Sequence, residues 1–286
     1  MDKFTNFLQN TLDNFIAIMK VMLKAKSTKE IAKLNVEGNK EVFILANGPS
    51  LKTDIENKDL LSKFKNSDVL VVNFFSNSPV FYEIKPKYLL LVAIDFLEDN
   101  PQKEFVEQID QWIESLLKVD WEINVFIPYG AKKSVKWQEK LSQNDNVKIV
   151  FINYLTIDGS KGLKLFFMKK KLAVPRLHNV LGPSIMTMIW CGYKKINLYG
   201  VDHSWLPMIH VDNQNRAMVR HDHFYGESEN SKQMGTSKKY RKLHEVLDKF
   251  LLTFKGYFDI KEFAEKQDIK IINYTKDSFI DAFEKR

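Results

Sequence analysis

The chain has 286 residues, of which 44% are hydrophobic and 13% aromatic, and a formal net charge of +7. That length and apolar content suit one large α/β domain, or one domain with a sizeable insertion, and exclude a low-complexity or disordered protein. The single cysteine, Cys191, excludes an internal disulfide framework and suits a reducing cytoplasm. No run approaches the ~18 apolar residues of a spanning helix, and Asp2 and Asp13 interrupt the N-terminal apolar residues where a secretory leader would be continuous. A cytoplasmic protein is expected, with peripheral attachment to the inner face of the plasma membrane left open.

Residues 3–24 read as one amphipathic helix. Phe4, Leu8, Phe15, Met19 and Met22 recur at three- and four-residue steps, with Thr5, Asn6, Gln9, Asn10, Asp13 and Asn14 on the other side. Lys20, Lys24 and Lys26 gather at its C-terminal end, where cations complement the helix dipole. The apolar stripe requires a cover: the flank of the domain, a partner subunit or a bilayer surface. Residues 1–40 thus form a helix and linker ahead of a catalytic α/β domain over 41–286.

That domain begins with Val42 to Ala46, an apolar run of strand length, which stops at Asn47-Gly48-Pro49-Ser50. Pro49 presets φ for a first helical turn, Gly48 lets a ligand approach the backbone, and the unpaired N–H groups of a helix start favour anions. The stretch reads as strand, tight turn and helix start, a candidate phosphate cradle.

Apolar strands then alternate with helical patterns. Strands are expected at Val69–Asn73, Tyr88–Ile94, Ile123–Ile127, Val147–Ile152, Lys195–Tyr199 and Ile269–Asn273. Helices are expected at 102–118 (Phe105, Ile109, Trp112 and Leu116 on one face), near 183–191, at 237–254 and near 259–266. Such alternation implies βαβ units. The predicted fold is α/β and Rossmann-like, with a parallel or mostly parallel sheet, helices on both faces, a lid insertion and the N-terminal amphipathic helix.

In an open parallel sheet, ligands bind beyond the carboxyl ends of the strands. Those ends here carry Asn47-Gly48, Asn73, Asp95 and Gly200-Val201-Asp202-His203, amides and carboxylates suited to a ribose or a base. Residues 161–176 carry Lys161, Lys164, Lys169, Lys170, Lys171 and Arg176 without an acid, interleaved with Leu163, Phe166 and Phe167. They fit either a membrane-surface contact or a solvated helix face packed through its apolar residues.

Five of the six histidines fall between His178 and His223. Imidazole titrates near neutrality and is the usual general acid or base. Residues 204–235 have weak periodicity, carry His221, His223 and Tyr225, and are too long for a plain connection, which suggests a lid. No recognised metal-ligand spacing occurs and no Asp-x-Asp pair follows a strand, so no metal or other cofactor is expected. Cys191 ends an apolar helix and reads as core, and no Gly-x-Ser-x-Gly elbow is present.

Asn-Gly-Pro-Ser-Leu-Lys at 47–52, Asn73, and Cys-Gly-Tyr-Lys-Lys-Ile-Asn-Leu-Tyr-Gly-Val-Asp at 191–202 together resemble the bacterial sialyltransferases of glycosyltransferase family 42, and the related proteins that share their fold. The resemblance implies a metal-independent glycosyltransferase moving a sugar, a CMP-sugar first, to a hydroxyl of a bacterial surface glycan or lipid-linked acceptor. It implies that Asn47, Gly48, Pro49 and Ser50 touch the nucleotide and its phosphate, with Asn73, Asp95 (in place of a family Asn), Asn179, Gly200 and Asp202 around them. Tyr225 would support the leaving phosphate. The family's catalytic histidine precedes a Ser-Lys; here Thr236 holds that place, so the base falls to His223, His221 or His203. An ATP- and Mg²⁺-dependent phosphotransferase and a non-catalytic glycan-assembly protein fit the same pattern. No nucleic-acid partner is expected, and self-association is open.

Overall fold

Eight short strands, most of them rich in apolar residues, form the sheet; the inner ones are buried on both faces, and the edge strands are exposed in part or throughout. They are β1 (Glu41–Leu45), β2 (Val69–Val72), β3 (Tyr88–Leu90), β4 (Ile123–Pro128), β5 (Val147–Ile152), β6 (Lys195–Tyr199), β7 (Lys270–Asn273) and the two-residue edge strand β8 (Glu284–Lys285). In this computed structural model, which describes residues 3–38, 40–98, 103–219, 224, 232–233, 235–236 and 239–286, they form one sheet in the order β8-β7-β6-β1-β2-β3-β4-β5. Every neighbouring pair is parallel. The chain runs outward from β1 to β5, then crosses back to place β6 on the other side of β1. The strand order therefore reverses between β1 and β6.

Side chains alternate along each strand, so one strand feeds two cores. Phe43 and Leu45 of β1 join Phe64, Phe81, Trp112 and Trp137 under α3 (Leu51–Glu56), α4 (Lys58–Lys65), α5 (Val80–Ile84), α6 (Lys103–Leu117) and α7 (Lys136–Leu141). Val42 and Ile44 join Leu70, Phe126, Ile185 and Tyr257 on the opposite face. There α8 (Lys161–Lys169), α9 (Leu181–Trp190) and α10 (Leu243–Glu265) cover the sheet. All ten residues of α9 are buried, as a predominantly apolar helix requires. Cys191, just beyond it, is fully buried, and burial pushes its thiol up to about 12, which makes it an inert core residue. The N-terminal helix α1 (Lys3–Lys24) has the expected extent and is followed by the short α2 (Lys29–Lys33).

Three boundaries differ from the sequence reading. The third strand ends at Leu90 rather than Ile94, because Ile94–Leu97 coils into a 3-10 turn. The two helices expected at 237–254 and near 259–266 are one helix starting at Leu243. Gly256 does not interrupt it: a Cβ there would meet Leu177 Cγ at 2.8 Å, so the glycine permits close packing of α10 on the Leu177 segment. The edge strand Glu284–Lys285 has no apolar run to announce it.

Phe43 anchors this core. Its ring is fully buried, lies 5.7 Å from Phe64 and 6.1 Å from Tyr199, and has the Lys63 ammonium 5.0 Å above it. Phe43→Ala is expected to cost about 3–5 kcal/mol through lost burial and the cavity left behind, measured by urea denaturation. A loss below about 1 kcal/mol would contradict the packing described.

Candidate functional site

A cavity of about 330 Å³ opens at the carboxyl ends of β1, β2 and β6, where the strand order reverses. Asn47 and Gly48 line it after β1, Asn73 after β2 and Gly200 to Trp205 after β6; His178 to Leu181 ahead of α9 and Phe250 of α10 close the other side. Ligands in open α/β sheets occupy this crevice. Of the residues expected at the site, Asn47, Gly48, Asn73, Asn179, Gly200, Asp202 and His203 are brought together here.

The turns after β1 and β6 are in direct contact. Gly48 N–H donates to Gly200 O at 2.9 Å, and Ala46 N–H to Tyr199 O at 2.9 Å. The Asp202 carboxylate accepts from Ser50 N–H at 3.0 Å and from Ser50 Oγ–H at 2.8 Å. A Cβ on Gly48 would meet Asp202 Oδ2 at 2.0 Å and Gly200 O at 2.5 Å. Gly200, at φ +66°, could not carry a side chain without meeting Ala46 O at 2.8 Å.

This arrangement corrects the phosphate cradle expected at 47–50. Gly48 is required by the packing of the two turns, its N–H and that of Ser50 are engaged within the chain, and the anion at the helix start is Asp202 itself. Pro49 and Ser50 lie outside the cavity lining. Asp95 is exposed on the 3-10 turn and also does not line it, because β3 ends five residues earlier. Burial raises the Asp202 pKa, with the Ser50 bonds acting the other way. Burial, and then the Asp202 charge, push the nearby Asp54 up to about 6.

The C-terminal segment braces this corner. Thr275 Oγ1 accepts from Val201 N–H at 3.0 Å, Ser278 Oγ–H donates to Val201 O at 2.7 Å, and Phe279 N–H donates to Asp202 O at 3.0 Å.

His203 is held by a second network. It adopts φ +56°, as Asn73 adopts φ +52°, so two non-glycine residues of the cavity have left-handed backbone. The Asn179 amide donates to Tyr257 Oη at 2.6 Å, while Asn179 Oδ1 accepts from Gly182 N–H at 3.4 Å. With its oxygen accepting from Asn179, the Tyr257 hydroxyl directs its own hydrogen to His203 Nε2, 2.8 Å away. The Asn179 amide nitrogen, a donor only, is also 3.4 Å from Nε2, so we assign the imidazole as neutral with its hydrogen on Nδ1. Burial lowers the His203 pKa to about 4, so at neutral pH the ring is a weak base whose Nε2 already has a donor. Trp205, 5.2 Å from the His203 ring and 4.2 Å from Phe250, adds an aromatic wall.

His221, His223 and Tyr225 lie outside the described residues. Phe224 between them is described: its N–H donates to Asn47 O at 3.2 Å and its ring lies 5.0 Å from Phe75. The insertion after β6 thus meets the β1 turn at Phe224. It also contains a small antiparallel ladder of His210–Val211, Ala217–Val219 and Lys232–Gln233. Of Thr236 only the backbone is described, paired with Lys239. Tyr257, Phe250 and Trp205 are not singled out by the sequence; Tyr257 falls between the two helices expected at 237–254 and near 259–266, and only the continuous α10 brings it to the rim. Among the described residues no three His, Cys, Asp or Glu side chains are grouped to hold a metal ion.

No family model matches the chain, and no curated protein matches it. Among solved structures, the MAf glycosyltransferase from Magnetospirillum magneticum AMB-1 superposes with a TM-score of 0.47 at 11% identity, over 91% of this chain and 37% of that one. The chain thus spans little more than a third of that protein's length. Fold and cavity together define an α/β protein with a ligand crevice at its topological switch point.

Gly48→Ala is expected to cost about 1–3 kcal/mol by overpacking, since the new methyl displaces the Asp202 carboxylate; equilibrium unfolding measures it, and a neutral result would refute the close contact. His203 supplies a pH test. Its folded pKa is depressed below the unfolded 6.5, so its contribution to stability is full above pH 6.5 and is lost as pH falls toward 4. The His203 ring resonances should move near pH 4 rather than near 6.5 in an NMR titration, and His203→Gln should flatten this part of the acid-side loss of stability.

Proposed function

We propose that the protein is a glycosyltransferase that binds a nucleotide-sugar donor in the crevice between β1 and β6 and transfers the sugar to a glycan or lipid-linked acceptor hydroxyl. The observation that carries the reading is the cavity at the reversal of strand order, lined by the side-chain amides of Asn47, Asn73 and Asn179 with Trp205 and Phe250 as an aromatic wall. Amides and an aromatic face suit a base and a ribose. CMP is the first nucleotide to test, on the resemblance of residues 47–52 and 191–202.

Because the Ser50 N–H serves Asp202 and the Gly48 N–H serves Gly200 O, the departing phosphate is assigned to the side-chain amides and to Tyr225. His203, neutral and weakly basic, is assigned hydrogen-bond donation from Nδ1 instead of proton abstraction. The general base is assigned to His223, adjacent in sequence to Phe224, whose N–H reaches Asn47 O; His221 is the alternative. Proton abstraction by a positioned imidazole contributes about 10²–10⁴ in rate. Metal independence is part of the proposal.

A thermal-shift panel of CMP, UDP, GDP and ADP, each with and without EDTA, tests donor class and metal dependence together. Ligand at about a hundred times its Kd adds about 2.7 kcal/mol to the folded state. Stabilisation by a pyrimidine nucleotide that survives EDTA is expected, and ADP binding that requires Mg²⁺ would favour phosphotransfer instead. With the donor known, His223→Ala should lower kcat about 10²–10⁴-fold while leaving the nucleotide shift intact. Full activity in both His223→Ala and His221→Ala would sink the assignment of the base.

A further inference from the structure

The N-terminal helix is docked with its apolar side facing away from the domain. Its contacts are made by Ala17 and Val21, which pack with Ile157, Phe167 and Ala173, by Asn14, whose Oδ1 accepts from Ser160 N–H at 2.7 Å, and by Lys20, whose ammonium donates to Thr156 O. Leu8, Leu12, Phe15, Met19, Met22 and Leu23 are exposed; Phe15 retains 62%, Met22 74% and Leu23 71% of its accessible surface. At 3.6 residues per turn these lie on the half of the helix opposite Ala17 and Val21. That exposed half carries no charged side chain between Leu8 and Leu23.

The surrounding charge is positive. Lys161 pairs with Glu262 at 2.6 Å, Lys164 with Asp259 at 2.5 Å and Arg176 with Asp158 at 3.1 Å, so half of the basic segment is neutralised on α10 and nearby. Lys24, Lys26 and Lys29 beside α1, and Lys169 and Lys170 at the end of α8, are exposed and make no salt bridge among the described residues. Phe166 of α8 is a further exposed apolar side chain, 51% accessible, with the Lys170 ammonium over its ring at 5.9 Å.

From this we propose that α1, with the end of α8, is an interfacial anchor that lies flat on an anionic bilayer. Two copies of this surface would bring like charges together, whereas an anionic leaflet attracts them. No helix among the described residues is long and apolar enough to cross a membrane, and an uncharged helix face beside basic side chains is the pattern of in-plane insertion. The anchor is close to the crevice in the chain: the short strand Val174–Pro175, paired with Thr156–Ile157 under α1, leads directly to His178–Leu181 of the cavity wall. Resting on the transferase reading, this selects a lipid-linked acceptor.

Co-sedimentation with liposomes tests the anchor. The full chain should pellet with vesicles containing about a third phosphatidylglycerol, less with pure phosphatidylcholine, and less again at about 0.5 M salt. Phe15→Glu/Met22→Glu, both at exposed positions, should bind anionic vesicles at least about tenfold more weakly with an unchanged melting temperature. Failure of the wild type to bind anionic vesicles would overturn the proposal, as would a dimer in light scattering that the double variant dissociates. The nucleotide shift is read separately without lipid, so failure of the anchor and failure of the transferase reading are distinguishable.

Discussion

The contact on which the site depends is the Asp202 carboxylate seated on Ser50, at 3.0 Å to the amide nitrogen and 2.8 Å to the hydroxyl. It closes the turn after β1 against the turn after β6, and both turns need glycine: a Cβ at 48 would overlap the Asp202 carboxylate, and one at 200 would meet Ala46 O. A helix start with free N–H groups would be an anion site. Here the anion is covalently part of the chain, so the corner is a fixed floor and not a phosphate receptor. Bracing from Thr275, Ser278 and Phe279 on Val201 and Asp202 adds rigidity at the strand-order reversal, where a ligand would need it.

With that corner internally satisfied, the chemistry of the crevice comes from groups around it. The amides of Asn47, Asn73 and Asn179 are uncharged, and His203 is kept neutral by burial while Tyr257 donates to its Nε2. A cavity so lined recognises hydroxyls and ring nitrogens better than isolated charge. On the proposed function, neutralisation of a phosphate and proton removal from an acceptor fall to residues that come from outside the sheet. Phe224 is where the insertion after β6 returns to the β1 turn, and His223 and Tyr225 are its sequence neighbours.

The sheet was legible because strands buried on both faces are largely apolar, and seven of the eight strands fall on apolar stretches of the sequence. The location of the crevice followed, since Asn47, Asn73 and Gly200–His203 all mark strand ends at one rim. Local pattern could not reveal which of those residues face one another. The same Asn-Gly-Pro-Ser that reads as a phosphate turn is satisfied by a carboxylate 152 positions later, and Asp95 reads as a rim residue only if β3 runs to Ile94. Tyr257 was hidden for a related reason: it falls in the gap between the two helices expected at 237–254 and near 259–266, and its hydroxyl acquires a role only when one continuous α10 brings it to His203.

The N-terminal helix shows how little a hydrophobic stripe says about direction. Periodicity locates the apolar side of α1 and leaves open what it meets. The decision comes from its less apolar side: Asn14 fits Ser160 N–H, a Cβ at Gly159 would meet Asn14 Oδ1 at 2.6 Å, and Ala17 is small enough to let the helix approach. Turning the helix to bury Phe15 and Met22 would break that bond and leave the Ser160 N–H without its acceptor, at a cost of about 1–3 kcal/mol if the group stayed buried. The polar fit to the domain and the apolar face to the outside are therefore one constraint, since the contact that holds α1 in place is also what keeps its hydrophobic surface uncovered.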